Sequence, residues 1–348
     1  MKKMCLVCCI YTTVVLLLVA LLNFVIVPVI FKFSLGFQQS FIFPTFVIEP
    51  KNYTNPENYG INGVRNMYIT VPYPTSENIT LGIWQVLPKE MVSDIVNNDE
   101  YNYDGIIANG KTHILIYLHG NGSDRTKSIE LYKILREIFH IFAIDYRGYA
   151  DSTLGELTEN NIVSDIAYIY KWLRKRSKSK MFIWGHSLGS GVATLLASRL
   201  KKENLTSTGV VLETPFTSVT DVMKSNYIVQ FYSFLPWFDA TILKPIRDNG
   251  MDFNSKLYIS DVDSPIMILH AKDDDIIPYS IATELYYTAL NNRNSTFQGN
   301  VTYYLYEEHG YGHLFIYLVP HLLNHVKIFV DECLQFEQSI SIKNRSVI

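Results

Sequence analysis

A chain of 348 residues, 48% hydrophobic and 18% charged, has the composition of a globular protein and not of a disordered or low-complexity one. Its formal net charge of −3, from 30 basic and 33 acidic residues, offers no basic surplus for binding nucleic acid. With the unusual amino terminus set aside, about 290 to 300 residues remain, enough for one large domain.

Residues 4–31 form one apolar run, interrupted only by Thr12, Thr13, Asn23 and Pro28. A helix needs roughly 20 residues to cross a bilayer, and this run exceeds that. It is also too long for the apolar part of a cleaved signal peptide, and no small-residue cleavage site follows it. Residues 1–31 are therefore expected to be an uncleaved signal anchor. Lys2 and Lys3 precede the run and Lys32 alone follows closely, which places the amino terminus in the cytosol and the domain on the lumenal side. Asn-x-Ser/Thr sequons begin at Asn52, Asn78, Asn121, Asn204, Asn294, Asn300 and Asn344, as suits a lumenal glycoprotein. Cys5, Cys8 and Cys9 lie in or before the anchor, where small apolar packing and acylation are both open readings. Cys333 is the only other cysteine, so the domain holds no internal disulfide.

Residues 32–60 are rich in Phe and suit either a juxtamembrane segment at the membrane interface or a strand under the domain. The domain itself is expected over 61–335, with a tail at 336–348. Apolar runs at 64–71, 79–87, 113–118, 141–144, 181–184, 209–212, 265–269 and 301–306 read as strands. Helical patterns fall at 126–139, 162–176, 188–200, 281–290 and 313–330, and the polar stretch 88–111 reads as a loop. This alternation predicts a mostly parallel sheet with helices on both faces. The aromatic stretch 226–238 (NYIVQFYSFLPWF) interrupts it. It is either a buried connecting helix or a cap in which Phe231, Phe234, Trp237 and Phe238 bind an acyl chain.

Gly185-His186-Ser187-Leu188-Gly189 lies between an expected strand and an expected helix, the context that gives G-x-S-x-G its meaning. Such a sharp turn lifts the serine hydroxyl off the sheet, and the helix start behind it favours negative charge. A serine nucleophile needs a base, and the base needs an orienting acid, in the chain order Ser, acid, His. Asp274 is the middle of three acidic residues after the strand 265–269. Asp273 and Asp275 are expected to be solvated or capping, and Glu213 is the reserve acid. The base is His313 or His309, with His313 better placed after two glycines. Gly310 and Gly312 argue against a helix presenting these histidines to a metal, and no metal or organic cofactor is expected. The oxyanion donors are expected to be the N–H groups of Leu188 and Asn121. A glycan at Asn121 would block the site, so that sequon is expected to be unused. His119 and His186 are expected to pack near the site.

His119-Gly120-Asn121-Gly122, Asp145-Tyr146-Arg147-Gly148-Tyr149, Trp184–Gly189, Glu213-Thr214-Pro215-Phe216-Thr217, His270–Asp274, Pro236-Trp237-Phe238-Asp239 and Tyr311-Gly312-His313 together resemble the α/β-hydrolase domain-containing protein 12 family. The resemblance runs from about residue 60 to 332 and includes an amino-terminal anchor. It implies the α/β-hydrolase fold, an endoplasmic-reticulum protein with a lumenal catalytic domain, and hydrolysis of lysophosphatidylserine and monoacylglycerols. It also implies a triad of Ser187, Asp274 and His313. Two departures are Ala150, where the family has Gly, and a shortened loop before His313, which bears on head-group selection. The expected partners are a lipid substrate and the bilayer, with no obligate protein partner. Two other readings use the same residues: an acyl-protein thioesterase and a non-catalytic scaffold of the same fold.

Overall fold

The computed structural model describes residues 2–74, 77–95, 102–307 and 310–345. Among the described residues, eight strands form one sheet: β1 (Val64–Val71), β2 (Ile79–Val86), β3 (His113–Leu118), β4 (Phe139–Ile144), β5 (Met181–His186), β6 (Gly209–Glu213), β7 (Ile266–Ala271) and β8 (Val301–Tyr306). Their order is β1-β2-β4-β3-β5-β6-β7-β8. The β1–β2 and β2–β4 pairs are antiparallel, and every other pair is parallel. Strands β4, β5, β6 and β7 are buried along their whole length. Helices cover both faces, which is why these strands read as unbroken apolar runs and not as alternating ones. Two core clusters result, one on each side of the sheet.

Strand β3 has β4 on one side and β5 on the other. The chain reverses its winding there, opening a crevice beyond the carboxyl ends of the strands. The loops after β3, β5, β6, β7 and β8 all leave from that end.

All eight expected strands are present, with ends shifted by a few residues. Other expectations need correction. Residues 32–60 contain no strand: Leu35–Ile42 is a helix whose start is capped by Ser34, which accepts the Phe37 N–H at 3.3 Å. Phe31, Ile42 and Phe43 are buried against the domain, whereas Phe33, Phe37, Phe41 and Phe46 are exposed. The stretch 88–111 includes short helices at Val92–Ile95 and Tyr103–Asn109. The last helix does not begin at His313. It runs Leu322–Arg345, beyond the expected break at 335. Pro320 is the physical reason: it disfavours helical geometry in the residue before it but is tolerated at a helix start. His313 therefore sits in a loop.

A buried polar network braces the crevice. Asp145, at the end of β4, accepts from the Arg125 N–H at 2.6 Å and pairs with the Arg125 guanidinium. Arg125 also pairs with Asp151 at 2.7 Å and stacks over Tyr53 at 4.0 Å. Arg147 holds Asp165 on the helix Glu159–Arg176 through two 2.7 Å hydrogen bonds. The turn after Tyr149 carries Ala150 at φ +52°. A side chain there crowds the backbone at a cost of roughly 1–2 kcal/mol. Replacing Ala150 with Gly relieves that strain but adds freedom to the unfolded chain. Ala150→Gly is therefore expected to stabilise the domain by about 1 kcal/mol or less, measured as a higher unfolding midpoint in detergent. A comparable fall would contradict the strained-turn account.

Candidate active site

Strand β5 ends at His186, and the helix Leu188–Lys202 begins two residues later. Ser187 makes the turn between them at φ +52°, ψ −118°. A non-glycine residue held there stores on the order of 1–3 kcal/mol of strain. The crossing leaves no room for side chains beside it. A Cβ on Gly185 would lie 2.1 Å from the Gly189 carbonyl oxygen, and one on Gly189 2.1 Å from that of Leu118. The Ser187 N–H donates to the Glu213 carbonyl at 2.9 Å, tying the turn to β6.

The loops after β7 and β8 meet over this turn. His313 Nδ1 lies 2.8 Å from Asp274 Oδ2. The other carboxylate oxygen, Oδ1, accepts the Ile276 and Ile277 N–H groups, each at 2.9 Å. Burial pushes the Asp274 carboxyl up, but the His313 hydrogen bond and charge and the Ile277 N–H outweigh it, holding it below the usual carboxylate range. A carboxylate at Nδ1 selects the tautomer that leaves Nε2 free to take a proton. His309, the other candidate base, lies outside the described residues.

Two residues given minor parts by the sequence hold the His313 loop. Asp273 accepts the Gly310 N–H at 2.6 Å and the Gly312 N–H at 2.9 Å. Of the two roles expected for it, solvated or capping, it takes the second, and it does so across two loops: it is a clamp on the loop that carries His313. His186 Nε2 donates to the His313 carbonyl at 2.9 Å, with the two rings 5.1 Å apart. Burial, with His313 nearby, pushes the His186 pKa down to about 3, so no second cation stands beside His313. Neither clamp has a local sequence signature.

The loop after β3 closes the site from the other side. A Cβ on Gly120 would lie 2.7 Å from His186 Nδ1 and 3.3 Å from Ser187 Cβ, so only glycine passes here without displacing the site. Asn121 is fixed at both ends of its amide: Nδ2 donates to the Ile42 carbonyl at 2.6 Å, and Oδ1 accepts the Tyr149 hydroxyl at 2.7 Å. Tyr146 donates to the His119 carbonyl at 2.9 Å. The segment Asp145–Tyr149 thus props the whole loop.

Ser187, His313, Gly120 and Asn121 line one cavity of about 520 Å³. Its lining mixes polar residues, among them Ser123, Lys127 and Ser128, with apolar ones, among them Ile276, Leu314 and Phe315. Glu213 also lines it, with Oε2 accepting the Trp184 indole N–H at 2.7 Å. Burial pushes the Glu213 carboxyl up to about 7. Phe231, Phe234, Trp237 and Phe238 do not line this cavity. The first three are exposed, Phe238 is buried, and Phe234 and Phe238 line a separate cavity of about 500 Å³. Periodicity could not distinguish an aromatic surface facing the site from one facing outward. A larger cavity of about 800 Å³ lies near His113 and Arg136, at the opposite end of β3, away from Ser187. Among the described residues, no group of three or more His, Cys, Asp or Glu is arranged to hold a metal ion.

Residues 113–258 match the family model described as the alpha/beta hydrolase fold. The chain resembles the esterase Pf2001 of Pyrococcus furiosus, with a TM-score of 0.55 at 19% identity over 82% of this chain and 96% of that one; this likeness bears on fold alone. It is 31% identical over 325 residues to the lysophosphatidylserine lipase ABHD12 of Mus musculus, covering 91% of this chain and 80% of the relative. With the ABHD12 of Danio rerio it shares 32% identity over 315 residues, covering 88% and 80%. With this fold, this elbow and relatives matched along most of their length, the chain belongs to the ABHD12 family of lipases.

Proposed function

We propose that the chain is a membrane-anchored serine hydrolase that cleaves the acyl ester of lysophosphatidylserine, of monoacylglycerol or of both. The observation that carries this reading is the 2.8 Å Asp274–His313 bond, with Ser187 in the same cavity. Ser187 attacks the ester carbonyl while His313 Nε2 takes its proton. The Asp274 carboxylate holds the ring and stabilises the imidazolium. The N–H groups of Leu188 and Asn121 stabilise the oxyanion. The first lies in the opening turn of the elbow helix, where backbone N–H groups lack intrahelical partners. Protonated His313 then gives its proton to the departing alkoxide as the ester C–O bond breaks, and water, activated by the same imidazole, attacks the acyl-enzyme to release the fatty acid and free Ser187. A cavity lined by both polar and apolar side chains suits an ester with a charged head group and a chain. The relatives' names carry the choice of lysophosphatidylserine.

The helix Val7–Phe33 is long and apolar enough to cross a membrane. It is read here as anchoring the catalytic domain on the lumenal side of the endoplasmic reticulum, with the amino terminus cytosolic. The amide of Asn121 is engaged at both ends, in keeping with an unused sequon there.

Membranes carrying the wild type should release fatty acid from lysophosphatidylserine or monoacylglycerol. Ser187→Ala and Asp274→Asn should lower kcat by about 10⁴-fold or more and by about 10³–10⁴-fold. Release from a palmitoyl thioester alone would move the protein to the thioesterases. Glu213→Gln should retain activity, because Asp274 orients the base. Its effect on stability has a definite sign. A carboxyl raised from 4.5 to about 7 favours folding fully below pH 4.5 and loses that contribution as pH rises toward 7. A shift of this size amounts to about 3 kcal/mol at most. Glu213→Gln should therefore lose less stability than the wild type between pH 5 and pH 8, measured by denaturation at each pH. Parallel curves would contradict this.

A further inference from the structure

The aromatic segment that does not line the catalytic cavity has a different environment. Its helix, Tyr227–Ser233, lies against the spanning helix, where the Tyr232 ring packs on Phe24 at 5.5 Å between centroids. The following turn, Asp239–Leu243, packs on Val27–Phe33. A third contact fixes the height of the domain on the spanning helix. Gln38 donates to the Phe31 carbonyl at 2.6 Å and accepts from Asn249 at 2.6 Å. The segment is therefore held at a defined position along Val7–Phe33 and does not hang free.

That position lies at the membrane boundary. The spanning stretch has 27 residues, whereas a hydrocarbon core of about 30 Å takes roughly 20 at 1.5 Å per residue. With Lys2 and Lys3 held at the far interface, roughly 20 residues from Met4, where the apolar run starts, reach about residue 23. Phe24 thus sits at the near boundary, and whatever packs beside it lies at the same depth. In the segment held against that boundary, Tyr227 is 79% exposed, Phe231 62%, Phe234 69% and Trp237 38%. Tyr and Trp are the residues that settle at the head-group level, and a short helix with an apolar outer face lies in that plane. In water these four rings would form an unprotected apolar patch.

We propose that residues 227–237 form a second, monotopic membrane element, embedded at the head-group level beside the spanning helix. Its occupant is lipid, because its neighbour at the same height is the bilayer span itself. The inference rests on the membrane-anchored reading above. It deepens that reading, because the loop carrying Asn121 is tied to Ile42, nine residues beyond the span. Anchor, embedded helix and catalytic crevice then stand on one face, and substrate enters from the lipid plane.

The test uses the full chain carrying Ser187→Ala, in nanodiscs of phosphatidylcholine that is either plain or brominated on its acyl chains. Subtracting the emission of the same chain with Trp237→Phe isolates Trp237 from the other three tryptophans. The inference predicts that brominated lipid removes most of the Trp237 emission and that aqueous iodide leaves it. Quenching by iodide with none from brominated lipid would overturn it. A surface covered by a second chain or another protein would leave the bromine without effect, and this also counts against it. Phe231→Glu with Phe234→Glu should drive the element into water and reverse the pattern. Phe297→Glu, on an exposed ring before β8 at the other end of the sheet, should not. Equal effects from both changes would overturn the assignment to this segment. Turnover plays no part, so failure here and failure of the lipase reading are separable.

Discussion

The crossing of β5 and the elbow helix at Gly185, Ser187 and Gly189 sets the geometry on which everything else depends. A methyl group at either glycine would collide with backbone at 2.1 Å, which no side-chain movement can relieve. The close approach forces Ser187 to positive φ and puts its hydroxyl at the carboxyl end of the sheet, in front of a helix start. The strain is held because β5 and its helix are buried on all sides and Ser187 is tied through its N–H to β6.

A rigid nucleophile is useful only if the partner loops are equally fixed, and each is held by contacts that do not react. The loop after β3 is propped by Tyr146 and Tyr149, which stand on the Asp145–Arg125 network. The His313 loop is pinned at its glycines by Asp273 and at its carbonyl by His186. Positioning of this kind is where small displacements become large losses of rate. The same loops hold the site against the anchor, because Asn121 bonds the helix that leaves the membrane.

The parts legible in the sequence were those whose physics is local. All eight strands were readable because a sheet covered on both faces imposes continuous apolar runs. The elbow was readable because its glycines are obligatory in one short stretch. What was not readable depends on contacts distant along the chain. The position of Asp274 after its strand marks it as the acid, but nothing near Asp273 in sequence announces that it holds the Gly310 and Gly312 N–H groups, 37 and 39 residues away. The start of the last helix was misplaced because apolar periodicity continues through Phe315 and Ile316, whereas Pro320 sets the boundary. The segment 226–238 is visibly apolar and breaks the alternation, but periodicity does not say which environment such a surface meets. Its contact with Phe24 does.

The account as a whole stands on Ser187 being the group that reacts and His313 the group that makes it reactive. The most direct measurement is the rate and position of labelling by a fluorophosphonate, mapped by peptide mass spectrometry on the full chain in membranes. The account predicts one adduct, on Ser187, formed far more slowly in His313→Ala and at an undiminished rate in His309→Ala. An adduct elsewhere, or labelling of Ser187 that ignores His313 and depends on His309, would contradict it.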